Sequence, residues 1–251
     1  MDVFSEYNLD YQTEAVNAVV NLFKYQPIVP QYFVISNYLD NDCCIGNNIN
    51  ISNEDILDNL RFVQMYNKIP INEKLTSLNF NIEMDTGIGN TYVYLKTIFE
   101  LNKQYAFIKF IIIVKNKYQL NKVYNFIVAT EEHFKSLYDN IIYEYFIYDS
   151  SKLEQVRNFA VNSNIQIMII NIDSFNSKNN IIYKRQDNGH IFMDFIAKTN
   201  PILIIDNSEE LSDKTKNAIN NFNPLFTLNY SSISSNNENL IYRLDYLDVI
   251  K

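Results

Sequence analysis

The residues best suited to chemistry lie in one short stretch, Asp85-Thr86-Gly87-Ile88-Gly89-Asn90-Thr91, between an apolar run and an amphipathic one. This is the layout of a phosphate-binding turn: glycines let backbone N–H groups curl around an anion at a helix N-terminus, and a Thr hydroxyl stands ready for Mg²⁺. The lysine expected just before that threonine, reaching the outer phosphates, is instead Asn90. Gly is present 4 times in the chain, and Gly87 and Gly89 account for two of these. In so glycine-poor a sequence, that placement argues for a positive φ or a close backbone approach.

A second stretch, Pro201-Ile202-Leu203-Ile204-Ile205-Asp206-Asn207, is an apolar run that ends in a carboxylate. Nucleotide hydrolases hold Mg²⁺ with such an aspartate, and the residue after it is usually the glutamate that directs the attacking water. Here that residue is Asn207; taken alone, an Asp followed by a polar turn is an ordinary helix cap. Cys43 and Cys44 are neighbours, which rarely bridge, and two cysteines with two distant histidines do not make a zinc set. They read as small buried apolar residues.

The elements that must position these groups follow from periodicity. Within residues 8–24, Tyr11, Ala15, Val19, Leu22 and Phe23 fall at helical spacing, with polar Gln12 near the start, where a bare glutamine would be solvated. Pro27 and Pro30 end that helix, and residues 31–52 read as loop with a short strand at 32–35. A second amphipathic helix over 54–67 clusters Ile56, Leu57, Leu60, Phe62, Val63 and Met65 near one face, with Asn53 as its cap. Strands are expected from Leu78 into the glycine turn and at 107–114, 141–148, 165–171, 201–206 and 224–230. Helices are expected at 91–103, 121–138, 152–161, 190–198 and 213–222. The run Phe107 to Val114 is nearly all apolar, as in a strand covered on both faces. The alternation argues for a three-layer α/β domain with a mostly parallel sheet flanked by helices, whose ligands sit at the carboxyl ends of the strands.

Composition sets the outer bounds. The 251 residues, 47% hydrophobic and 14% aromatic, can bury one large core, and no apolar run approaches the roughly 18 residues of a membrane span. The acidic opening MDVFSEYNLDYQ lacks the order of a signal peptide, so a cytoplasmic location is the default. A net charge of −8 is awkward for holding a polyanion by counterion release. The basic residues Lys115, Lys117, Lys122 and Lys184-Arg185 read as solvated faces before they read as a strip for nucleic acid. A single domain is expected over 1–251, with an N-terminal helical and loop region at 1–75 and the core at 76–251.

The stretch Glu83-Met84-Asp85-Thr86-Gly87-Ile88-Gly89-Asn90-Thr91-Tyr92-Val93-Tyr94 resembles motif I of the restriction (Res) subunit of type III restriction-modification enzymes, superfamily-two helicase relatives that read T-G-T-G-K-T-Y-V-Y there. The likeness extends through Tyr148 to Leu153 and Gln166 to Asn176, and covers most of the chain. It implies a RecA-like (P-loop NTPase) fold. It also implies ATP and Mg²⁺ as cofactors, with Gln12 at the adenine, Thr86, Gly87, Ile88, Gly89, Asn90 and Thr91 at the phosphates, and Thr91 with Asp206 at the metal. DNA and a modification methyltransferase subunit are the partners it implies, and no membrane.

The departures from the family pattern are concentrated where the chemistry is done. Asn90 replaces the lysine and Asn207 the glutamate of I-I-D-E-P-Q. Of Y-S-A-T-H only Tyr230 and Ser231 remain, and the DNA-side Pro-Ser has become Lys115-Asn116. The resemblance also implies a second RecA-like half and an endonuclease domain, which the stretch up to Lys251 does not supply. The expectation is therefore a defective relative of the translocating ATPase with weak or lost ATP and Mg²⁺ binding, so that enzyme status is open. The alternatives are one half of a split enzyme that needs a second motor or nuclease chain, or a non-enzymatic binding module.

Overall fold

A computed structural model describes residues 9–29, 33–34, 44–85, 89–185, 189, 191–207, 211–232 and 238–244. Helix α1 (Asp10–Val20) runs into a 3₁₀ turn (Asn21–Phe23), and a two-residue antiparallel pair, β1 (Phe33–Val34) and β2 (Cys44–Ile45), precedes α2 (Asn53–Tyr66). The core then alternates: β3 (Asn79–Met84), α3 (Asn90–Tyr105), β4 (Lys109–Val114), α4 (Lys117–Leu137), β5 (Tyr143–Ile147), α5 (Leu153–Val161), β6 (Ile165–Asn171), α6 (Phe192–Lys198), β7 (Ile202–Asp206), α7 (Asp213–Ile219), β8 (Phe226–Ser231) and β9 (Leu240–Leu244). Seven strands form one sheet in the order β5-β6-β4-β7-β8-β3-β9, every pairing parallel.

The expected three layers are present, and the period of two along each strand shows why. On β4, Phe110, Ile112 and Val114 enter one core with α1, α3 and α4, while Ile111 and Ile113 enter a second with α5 and α6. The same split divides Ile167 and Ile169 from Met168 and Ile170 on β6, so side chains of opposite pleat feed opposite layers. Phe23 ties α1 to the sheet: it is fully buried, stacks on Phe226 at 4.3 Å between ring centroids and meets Phe80 and Phe107 edge-on.

Toward β9 the second face changes character. Asn79, Asn81 and Glu83 on β3, with Thr227, Asn229 and Ser231 on β8, replace aliphatic residues and line a trough of about 520 Å³ beside α7.

Several expectations are corrected. Strand β9 was not anticipated, because five residues between polar turns carry too weak a pattern; its place beside β3 comes from pairing. Ser52, not Asn53, caps α2: its hydroxyl accepts the Asp55 N–H while the Asp55 carboxylate accepts the Ser52 N–H, a reciprocal box. Phe62 and Met65 lie off the apolar face of that helix, 51% and 60% exposed. Cys44 is buried, as read; Cys43 is outside the described residues. No described helix is long and apolar enough to cross a membrane.

Lys109 is a charge hidden in the sheet. Fully buried on β4, it donates from Nζ to the carbonyls of Phe159 (2.5 Å) and Asn162, closing the C-terminus of α5. Burial pushes its ammonium down from 10.5 to about 7. Between those two values the unfolded chain keeps a proton that the folded chain has released, so this group makes stability rise with pH. Compared with Lys109→Met, which does not titrate, the native chain should gain about 2 kcal/mol from pH 7 to pH 9, read from urea unfolding. Equal pH slopes for the two proteins would contradict this account.

Candidate functional site

The site is assembled where β3, β8 and β7 end. Helix α3 begins at Asn90 immediately after Gly89, which has φ of +98° and so adopts the left-handed conformation that glycine tolerates best. The first intrahelical bond is Val93 N–H to the Gly89 carbonyl, at 3.1 Å. The N–H groups at the start of α3 therefore point along the axis toward the turn, the arrangement that attracts anions. Thr86, Gly87 and Ile88, expected at the phosphates, lie outside the described residues.

Gln12 is the clearest departure from a residue-by-residue reading. Where a solvated glutamine was expected, it is buried on α1, accepts the Leu9 N–H at 3.2 Å and packs against the turn. A Cβ placed on Gly89 would lie 2.8 Å from Gln12 Nε2. The close approach inferred from the glycine count is thus found at Gly89, and α1 is what approaches.

Asn90 has turned back onto the strand it follows. Its Nδ2 donates to the Met84 carbonyl at 3.4 Å, and its buried Oδ1 has no hydrogen-bond partner among the described residues. No ammonium from the same helix takes its place: Lys96 Nζ lies 3.4 Å from Thr13 Oγ1, on the side facing α1.

The carboxylate of the second stretch ends β7 two strands from β3, about 10 Å away at ordinary strand spacing, with β8 between. In that ladder Asp206 is paired with Tyr230, and Tyr230 in turn with Ile82. Asn207 follows with φ of +60°, a conformation asparagine accepts more readily than glutamate.

Sequence reasoning passed over two groups here. Tyr94, one turn after Thr91, is wholly buried with its hydroxyl near Thr91 and Asp206; burial, with the Asp206 charge second, pushes its phenol well above the usual range. Glu83, 1% exposed, accepts from Arg243 Nε at 2.6 Å, its ladder partner on β9. Glu83 continues the polar alternation of Asn79 and Asn81 on β3, so the sequence carries no separate signal for it, and its partner is found only through β9. Among the described residues no three His, Cys, Asp or Glu side chains gather into a metal cluster.

What remains can be tested against a Mg²⁺-bound triphosphate. The helix start, the Gly89 turn, the Thr91 hydroxyl and the Asp206 carboxylate fit the phosphate and metal sides. The positive charge and the water-directing carboxylate do not have counterparts at Asn90 and Asn207.

A seven-stranded parallel sheet flanked by helices, consistent with the family profile that matches the chain, defines a RecA-like α/β domain. The profile of the family described as "Type III restriction enzyme, res subunit" matches residues 8–236, and the chain belongs to that family. It is 28% identical to the EcoP15I Res subunit of Escherichia coli and 30% identical to the EcoPI Res subunit of Escherichia phage P1, each over 97% of this chain. It also matches the StyLTI Res subunit of Salmonella typhimurium, at 34% identity over 64 residues. The chain spans 27% of the length of the first two relatives.

Proposed function

We propose that this chain is a nucleotide-site domain of the Res type in which hydrolysis has been lost and weak binding of ATP with Mg²⁺ is retained. The observation that carries the reading is the Asn90 side chain, an uncharged amide engaged with the Met84 carbonyl at the position where relatives of this pattern carry the phosphate-binding lysine. An ammonium hydrogen-bonded to phosphate contributes about 1.5–3 kcal/mol, and an amide does not supply that charge. The phosphates would rest on backbone N–H groups at the start of α3 and on Thr91, the metal on Thr91 and Asp206, and the adenine edge on Gln12. Bound Mg²⁺ would supply neutralisation of the phosphate charge. Asn207 cannot take a proton from water, so turnover is expected to be absent.

DNA and a modification subunit are the partners in this reading. Among the described residues, the exposed Lys115, Lys117 and Lys122 near the start of α4 are basic groups that support contact with a phosphate backbone.

Isothermal titration with ATP and Mg²⁺ tests the proposal. Binding weaker than roughly 0.1 mM, with no phosphate release over hours, is expected. Brisk turnover by the isolated chain would overturn it. A second reading, a part that hydrolyses ATP once another polypeptide completes it, draws on the open polar trough over β3 and β8. Hydrolysis that appears on adding a chain carrying a second motor half would favour it.

A further inference from the structure

We infer that the Tyr94 hydroxyl is a positioning group for the metal side of this site, holding Thr91 and Asp206 in register with each other; the inference rests on the nucleotide reading above. Tyr94 follows Thr91 by three residues on α3, so the two side chains share one face of the helix. Its ring meets Tyr230 edge-on, 5.6 Å between centroids at 66°. Tyr230 is the ladder partner of Asp206, and its own hydroxyl lies 3.4 Å from Thr97 Oγ1 on α3. The helix carrying Thr91 and the strand pair carrying Asp206 are therefore locked together through these two rings.

The oxygen of Tyr94 is the part that packing does not explain. It is fully buried, with the Thr91 side chain and the Asp206 charge as its polar neighbours; the approach of Thr91 falls short of hydrogen-bond geometry, so the hydroxyl is not satisfied by a described residue. A phenylalanine would fill the same space without burying an unpaired hydroxyl. A phenol carries its proton at neutral pH, so toward a carboxylate it acts as a donor. A donor held between a threonine hydroxyl and an aspartate can fix the orientation of both when a cation draws them together. That is a task for the loaded site, and the cost is borne by the empty fold.

Tyr94→Phe tests this directly, with Tyr148→Phe as control, since the Tyr148 hydroxyl is also buried and unpaired among the described residues, at the far end of the sheet beyond β5. ATP affinity is measured by calorimetry with Mg²⁺ and again with EDTA, and thermal unfolding is recorded without nucleotide. The expected result is a Tyr94→Phe chain that unfolds at the native temperature or slightly above it, keeps its EDTA affinity within about twofold, and loses most of the Mg²⁺-dependent gain. Tyr148→Phe should keep that gain. An intact gain in Tyr94→Phe, an equal loss with and without Mg²⁺, or unfolding several degrees lower would each overturn the inference, the last by showing an ordinary structural hydroxyl.

If the native chain takes no ATP under either condition, the nucleotide reading fails by itself, and the same comparison in an Asn90→Lys background decides for Tyr94. Loss of the Mg²⁺ gain there supports the inference. Its persistence, or no binding even there, overturns it.

Discussion

Asn90→Lys is expected to raise ATP affinity tenfold to a hundredfold over the native chain. The first turn of α3 already presents N–H groups, and Gly89 already adopts the left-handed conformation, so the change adds charge without requiring the turn to be rebuilt. The gain corresponds to about 1.5–3 kcal/mol, the range for a hydrogen bond to a charged group. Removing the asparagine also removes a buried Oδ1 with no partner among the described residues, so the fold should tolerate the exchange. Adding Asn207→Glu is a different matter. That residue has φ of +60°, and a glutamate there costs about 1 kcal/mol of stability relative to asparagine. The double variant should therefore bind ATP more tightly yet unfold at lower urea than Asn90→Lys alone. If calorimetry finds no nucleotide affinity in it at all, the proposed geometry of the turn is wrong.

Gly89→Val should destabilise the fold by about 2–4 kcal/mol and abolish any ATP-dependent rise in melting temperature. Two effects add. A β-branched residue at φ of +98° is strained by more than the roughly 1–2 kcal/mol typical of the left-handed region. The new Cβ would also sit 2.8 Å from Gln12 Nε2 and force α1 or its glutamine to move. Gly189→Val separates the two contributions, because Gly189 has φ of +87° with nothing within 4 Å of an added Cβ. It should show the backbone strain alone. Equal losses at the two positions in denaturant titrations would mean that the contact between α1 and the turn contributes little.

How much of this was legible in the sequence differs from residue to residue. The β6 strand over Ile165–Asn171 matches the expected bounds to the residue, because a mostly apolar run preceded by Asn164 and ending in Asn171 admits little else. Periodicity begins α4 at Asn121, four residues late, since Leu120 is the one buried apolar residue in Lys117 to Leu120; Asn116, whose side chain accepts the Gln119 N–H, caps that helix. Gln12 could be named from the motif, but its burial could not, because an isolated glutamine on a helix carries no sign of what will pack over it. Tyr94 was passed over for a similar reason: in Tyr92-Val93-Tyr94 it reads as a core aromatic, and only the arrival of β7 places a carboxylate near its oxygen.

The chain by itself determined the alternation of strands and helices, the glycine turn between β3 and α3, the carboxylate at the end of β7 and the replacement of charged groups by amides, all of which are local matters of residue type and spacing. Tertiary structure decided which of these meet. The strand order puts β8 between the turn and Asp206, pairs Glu83 with Arg243, and seats Gln12 against Gly89. Those contacts join residues from about 75 to 160 positions apart, a separation at which periodicity carries no information and only the packing of the sheet and its helices selects partners.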